Sequence, residues 1–291
     1  MKISIHLGVH CTDEDALVKS LLKNVKTLSA EGVVVPAPGR YRPLLRKVLE
    51  KLAGNPPGDD VQDVLLEQIL DTEQVERLVL SHDSFLAVPA YALRNGLLYR
   101  NAGRNTMRLR RLFPDHEVEF FLAVRDPATF VPALHEKLPE MPFAELAAGA
   151  SPETLVWSDV VRDIRESNPD CPVTVWCNED TPLIWPEVMH EITGIEPRVP
   201  FVGGFDILSK IMEREGMVRL RAYLNSHPPA TEIQRRRILA AFLDKYAIEE
   251  AVEEEIDLPG WTPELVEELS QAYDDDMIEM ARIPGVTVLT A

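Results

Sequence analysis

The amino-acid sequence predicts an α/β protein built on a central, mainly parallel sheet. Three observations carry that expectation. Short apolar runs alternate with longer stretches of helical period, the pattern left when each strand is followed by a crossover helix. The 291 residues are 45% hydrophobic and 27% charged, enough for one large core. No internal repeat, low-complexity tract or compositional break divides the chain, so residues 1–291 read as a single domain, with a helical C-terminal extension at about 228–291.

Taken in order, Lys2 to Leu7 reads as a buried strand, and Asp13 to Ser29 as a helix with Leu17, Leu21, Val25 and Leu28 on one face. Gly32 ends it before a short strand, Val33 to Val35. Pro36, Pro38 and Gly39 then turn the chain into a helix around Leu44 to Leu52. The Pro- and Gly-rich loop Asn55 to Asp60 leads to a helix near Val61 to Leu70 and a third strand, Arg77 to Ser81. A loop and short helix, Thr106 to Phe113, precede the clearest central strand, Val118 to Val124. Helices are expected at about Ala128 to Leu138 and Ser158 to Ser167, then a strand, Val173 to Cys177, and a helix from Pro182 to Thr193. The last third is mostly helical, roughly Thr231 to Glu255 and Pro263 to Met280. Ile283-Pro284-Gly285 then leads into a short apolar tail.

The formal charge of -18 argues against a nucleic-acid binder, which needs positive surface to displace counterions. No apolar run approaches the roughly 20 residues that cross a bilayer. Three cysteines without metal-ligand spacing, Cys11, Cys171 and Cys177, fit a reducing compartment, so a cytoplasmic location away from membranes is expected. The acid is uneven: Glu253, Glu254, Glu255, Asp274, Asp275 and Asp276 fall in a stretch, Glu249 to Glu279, that has no Lys or Arg. Arg94, Arg100, Arg104, Arg108, Arg110 and Arg111 cluster elsewhere, either as an anion site on one face or as a solvated face balanced by acids.

The segment after the first strand carries the most specific signal. A strand, a turn and a helix N-terminus together offer free backbone N–H groups and a helix dipole to an anion. Here the turn reads His6-Leu7-Gly8-Val9-His10-Cys11-Thr12-Asp13-Glu14-Asp15. It resembles the opening of bacterial sulfotransferases, whose loop runs His-Lys-Thr-Gly-Thr-Thr, with His6, Gly8, His10 and Thr12 matching. Gly32 to Arg42, Arg108 to Val124 and the tail with Tyr273 and Ile283-Pro284-Gly285-Val286 resemble the same family. So does Arg125-Asp126-Pro127, although the family's serine eight residues after the arginine is Ala133.

The resemblance implies a P-loop-type three-layer sandwich and transfer of a sulfuryl group from 3′-phosphoadenosine 5′-phosphosulfate to a hydroxyl or amine of a small molecule or glycan. It places Gly8, His10, Thr12 and Arg125 at the cofactor. It also implies a His or Glu base near the third strand, where His82 and Asp83 stand in Ser81-His82-Asp83-Ser84.

The residues of the turn also point another way. Cys11 stands where the lysine would be, and Asp13, Glu14 and Asp15 stand where the glycine and hydroxyls would be. A like charge at about 4 Å costs an anionic ligand about 4 kcal/mol at an effective dielectric near 20. Losing the lysine removes charge-assisted bonds worth about 1.5–3 kcal/mol each. Thr12 with Asp15 fits a capping box, in which the chain's own acids serve the helix end. A different ligand held through a cation is the other reading of these acids.

The remaining candidates have quieter readings. Cys11 reads as a small buried thiol, His6 as a packed strand residue, and Glu179 and Asp180 as caps of the following helix. No zinc-type cysteine pair, HExxH or nucleophile elbow is present, so no metal ligands are assigned. Three functions stay open: a sulfotransferase with an altered loop; a non-catalytic protein that keeps the fold and binds a protein partner through its acidic C-terminal segment; and, third, a glycan- or nucleotide-modifying transferase that uses a different donor.

Overall fold

In the computed structural model of the chain, which describes residues 1–72, 74–252 and 258–291, eight strands and a set of helices follow one another in α/β order. The strands are β1 (Lys2–His6), β2 (Val33–Val34), β3 (Arg77–Ser81), β4 (Leu93–Arg94), β5 (Leu97–Leu98), β6 (Glu117–Val124), β7 (Val173–Cys177) and β8 (Val286–Leu289). Six of them form one sheet in the order β2-β3-β1-β6-β7-β8, and every pairing is parallel. β4 and β5 make a separate antiparallel hairpin. This is the expected α/β sandwich: a parallel sheet between two helical layers.

Side chains alternate across the sheet with a period of two, and each face has its own core. Ile3, Ile5, Leu78, Leu80, Phe120, Leu122, Val173 and Val175 join the larger cluster, with Tyr41, Leu65, Leu109, Phe130 and Trp157 from the helices above them. Val79, Phe121, Ala123 and Trp176 face the other way, against Leu17, Leu21, Trp185 and Met189. Both faces are apolar because both are covered, which is why the strands read as near-continuous hydrophobic runs. A third, small cluster (Leu208, Met212, Met217, Leu220 and Leu239) is built by helices Leu208–Ile211, Arg214–Ser226 and Glu232–Tyr246.

Several elements differ from the expectation. The helix Asp13 to Ser29 is two helices, Ala16–Leu22 and Val25–Ala30. They part at Asn24, whose amide donates to the Ser20 and Val202 carbonyl oxygens and whose Oδ1 accepts from Val202 N. The apolar tail is strand β8, which docks on β7 and closes the sheet. Thr106 to Phe113 shifts to Ala102–Arg110, because Gly103 enters the contact with helix Trp157–Ser167. The helix expected to run to Glu255 ends at Tyr246, and Glu253 to Glu255 lie outside the described residues.

The long helix Pro263–Met280 ties the C-terminal region to the sandwich. Asp276 is buried, and its Oδ2 accepts from Trp157 N (2.7 Å) and Ser158 N (3.0 Å), serving the start of the neighbouring helix. It is therefore a structural acid, not part of the acidic surface. Asp274 and Asp275 on the same helix are exposed.

Gly103 sets how closely helices Ala102–Arg110 and Trp157–Ser167 approach: a Cβ there would lie 2.4 Å from the Asp163 carbonyl oxygen. Overpacking at a backbone contact costs about 1–3 kcal/mol. Gly103→Ala is expected to lower unfolding free energy by that amount in urea titration, whereas Gly39→Ala, with open space around it, changes it by less than about 0.5 kcal/mol.

Candidate functional site

Because all six strands run one way, the turns after β1, β3, β6 and β7 meet at a single edge of the sheet. The chain leaves β1 toward β2 and leaves the adjacent β6 toward β7, in opposite directions. Open α/β sheets bind ligands in the crevice made by such a divergence. The residues singled out in the sequence lie on the turns at this edge.

The first turn is held tightly. Val9 N donates to the Ala123 carbonyl oxygen (3.2 Å), and Ala123 N donates to that of Gly8 (2.7 Å). Gly8 has φ of +91°, and a Cβ on it would stand 2.8 Å from the Cα of Asp83, so only glycine lets these two loops touch. Cys11, Glu14 and Asp15 also have positive φ (59°, 50° and 65°). Non-glycine residues in that region cost on the order of 1–3 kcal/mol each unless their surroundings hold them there.

The surroundings do so through the three acids. The Asp13 Oδ2 accepts from Leu17 N (2.8 Å), taking a free amide at the start of helix Ala16–Leu22. Glu14 pairs with Lys137 (2.8 Å). Asp15 takes both arms of Arg42 (2.6 and 3.1 Å), and that hydrogen bonding draws its carboxyl below the usual range. The expected capping box does not form. Thr12 Oγ1 donates to the Val9 carbonyl oxygen (2.7 Å), and Asp15 at the N-cap position makes no side-chain cap. The positive φ at Glu14 and Asp15 swings Asp15 away, leaving Asp13 nearest the helix end. Cys11 is buried, and burial pushes its thiol up to about 11, so it is a packed thiol as expected.

His10 turns inward. Its ring is buried and its Nδ1 lies 2.7 Å from the hydroxyl of Tyr99, a fully buried residue that follows β5. The same Tyr99 oxygen accepts from His10 N (3.2 Å). The one hydroxyl thus holds both the backbone and the ring of His10. Burial lowers the affinity of this imidazole for a second proton. Nε2 faces Ser84 Oγ at 3.5 Å, and Ser84 Oγ donates to Asp83 Oδ1 (3.1 Å). Burial alone would raise the Asp83 carboxyl, but its hydrogen bonds to the His82 ring 3.1 Å away and to Ser84 Oγ outweigh it and hold the carboxyl well below the usual carboxylate range. An acid held that firmly ionised is a weak proton acceptor.

Arg125 follows β6 and bends onto the first turn. Its Nη1 donates to the Cys11 carbonyl oxygen (2.8 Å) and its Nε to Thr129 Oγ1 (2.9 Å). Trp157 Nε1 donates back to the Arg125 carbonyl oxygen. Beside it, Asp126 caps helix Pro127–Glu136 and receives Ser270 Oγ (2.5 Å) from the long C-terminal helix. Tyr273 of that helix donates to Glu179 Oε2 (3.1 Å), and Glu179 Oε1 accepts from Asp126 N. Glu179 and Asp180 thus do not cap the helix after β7. Glu179 bridges to the neighbouring loop, and Asp180 accepts from Ala291 N.

Gly8, His10, Thr12, Arg125, His82 and Asp83 therefore lie together at one edge of the sheet, and the chain itself supplies partners to the polar ones. The arginine-rich stretch does not converge. Arg108 donates to the Leu49 carbonyl oxygen, Arg110 pairs with Asp170, and Arg94 lies over the Tyr91 ring. His6 is packed as expected, its Nδ1 2.9 Å from Ser81 Oγ. The sequence reading missed Tyr99 and Lys137, whose roles depend on contacts far along the chain, and left Arg42 inside a quoted motif without a partner. Among the described residues no group of His, Cys, Asp or Glu is arranged to hold a metal ion, and no helix is long and apolar enough to cross a membrane. Comparison of the chain with protein-family models, curated proteins and solved structures finds no match.

His6 and His10 are both held below their ordinary 6.5 by burial. The unfolded chain then binds more protons than the folded one below pH 6.5, so stability is full above that pH and is lost as pH falls through it. Thermal melts at pH 7.5 and 5.5 are expected to show a drop that is smaller in His10→Gln than in the parent protein. An equal drop would remove His10 from the account.

Proposed function

We propose that this chain keeps a sulfotransferase-like architecture but acts as a binding protein, without transferring a sulfuryl group from 3′-phosphoadenosine 5′-phosphosulfate. One observation carries the reading: each acid of the first turn is joined to a group that an anionic ligand would otherwise recruit. Asp13 takes the Leu17 amide, Glu14 takes Lys137, and Asp15 takes Arg42. A phosphosulfate entering the turn must displace these bonds and then face three carboxylates at short range, each opposing it by kilocalories per mole. The resemblance in Gly8, His10 and Thr12 is then ancestry: these residues build the turn without serving a nucleotide.

A protein partner fits the exposed acids of helix Pro263–Met280. Glu264, Glu267, Glu268, Asp274 and Asp275 lie on its solvent side, without a Lys or Arg on the helix. A basic protein surface is the matching chemistry.

A second reading, transfer to a hydroxyl or amine acceptor, is favoured by one observation. His82, Asp83, Ser84 and His10 gather at the end of β3 and the first turn, where an acceptor's proton would be handled.

Calorimetric titration with 3′-phosphoadenosine 5′-phosphate separates the two. The binding reading expects no heat from the parent protein and none gained in Cys11→Lys/Asp13→Gly. Micromolar binding that is lost in Arg125→Ala would establish the transferase reading instead.

A further inference from the structure

The arginine-rich stretch has no part in the first turn or its surroundings. From Ser84 to Pro114 the chain has six arginines and no Asp or Glu, in a protein whose acids outnumber its Lys and Arg by 48 to 30. Of the six, Arg110 alone has an acid partner among the described residues. Arg94, Arg100, Arg104 and Arg111 are exposed. They do not close around one anion, so what they form is a surface.

The β4–β5 hairpin gives that surface its shape. Arg94 lies over the Tyr91 ring, its Cζ 5.1 Å from the centroid, and stands directly across the hairpin from Leu97. Side chains of directly opposed residues share one face of a hairpin. Tyr91 N donates to the Val88 carbonyl oxygen, a turn that keeps Val88 close to them. Val88, Tyr91 and Leu97 are 50%, 57% and 44% exposed, three large apolar side chains on one short segment. The support beneath is fixed: Ala92, Leu93, Leu98 and Tyr99 are buried, and Gly96 packs on the Gly149 carbonyl with no room for a Cβ. Exposed tyrosine and arginine on a rigid base are what the centre of a protein interface uses, since little ordering is left to oppose binding.

A patch of this charge fits an acidic partner. The chain itself carries one. Helix Pro263–Met280 turns Glu264, Glu267, Glu268, Asp274 and Asp275 to solvent, and Ile278, one turn after Asp274, is 56% exposed. The helix has no Lys or Arg, and Arg282 just beyond it is taken by Glu279. Within one chain the two surfaces rest on different neighbours: the helix packs on helices Pro127–Glu136 and Trp157–Ser167, the hairpin on the Gly149 loop. A contact between them joins two chains.

We propose that the β4–β5 hairpin patch, centred on Tyr91, Arg94 and Leu97, docks the acidic helix Pro263–Met280 of a second copy of this chain. The inference rests on the proposed reading of that helix as a docking surface for a basic protein, and it names the protein. Arg94, Arg100 and Arg104 meet the acids of the helix, and Ile278 joins the apolar group of Tyr91 and Leu97. Because the two faces differ, the contact is heterologous.

Sedimentation equilibrium of the full chain reads the outcome, in about 0.15 M NaCl, where repulsion between the acidic chains is screened beyond about 8 Å. The weight-average mass is expected to rise above 32.7 kDa as concentration increases. Two charge reversals are compared, Arg94→Glu/Arg100→Glu on the hairpin and Glu267→Arg/Asp274→Arg on the helix. Each alone is expected to associate at least about tenfold more weakly, because like charges then face each other. An equal mixture of the two recovers the parent behaviour, since every hairpin again finds a helix of opposite sign and the total charge equals that of two parent chains. Tyr91→Ala weakens association and leaves the melting temperature unchanged, its ring being exposed. A mass of 32.7 kDa at every concentration overturns the pairing and leaves the helix to another basic protein. Association lost on reversing the hairpin but not the helix overturns the pairing and the docking role of the helix together. Association untouched by either reversal, or a mixture as weak as its parts, overturns the pairing as well.

Discussion

Parallel strands impose a single constraint on everything that follows: each strand must be left at the same edge of the sheet. Six strands here deliver the turns after β1, β3, β6 and β7 to one rim, with β1 between β3 and β6. The contact between Gly8 and Asp83 fixes how near the first two of these turns come, and the Arg125 bond to the Cys11 carbonyl fixes the third. The chemistry of the rim then depends on which charges those turns carry.

In this protein the charges at the rim are balanced internally. Lys137 and Arg42 reach the first turn from separate helices, and each meets a carboxylate of that turn. The bonds are modest one by one, since half-exposed ion pairs contribute about 0–1 kcal/mol. Together they hold two backbone conformations that non-glycine residues avoid, and they keep Asp13 free to serve the Leu17 amide. The C-terminal helix completes the rim: Ser270 and Tyr273 bind the acids Asp126 and Glu179 at the ends of adjacent strands. The rim is thus a surface of satisfied polar groups, with His82, Asp83 and Ser84 half-buried and Glu14 exposed.

Much of the fold is legible in the sequence because local pattern and tertiary role agree. Arg77–Ser81, Val173–Cys177 and Pro263–Met280 have the bounds that periodicity alone predicts. The failures come where a distant contact decides. Asn24 breaks a helix because Val202, far along the chain, binds its amide. β8 is a strand only because β7 lies beside it, and four residues are too few to carry a period of their own. At the rim, residue types were readable but orientations were not. Thr12 followed by an acid three residues later has the spacing of a cap, and it is the positive φ of Glu14 and Asp15 that gives the role to Asp13. Nothing near Tyr99 in the sequence announces that its hydroxyl holds the ring of His10.

The central claim is that the first turn is filled by the chain's own acids. A crystal structure determined from high ammonium sulfate tests it most directly, since sulfate is offered to the turn in large excess. The account predicts Asp13 Oδ2 on the Leu17 amide, Glu14 on Lys137 and Asp15 on Arg42, with no anion between them. A sulfate seated on the amides of the turn, with Asp13 rotated away and Lys137 or Arg42 turned to the ion, would contradict it.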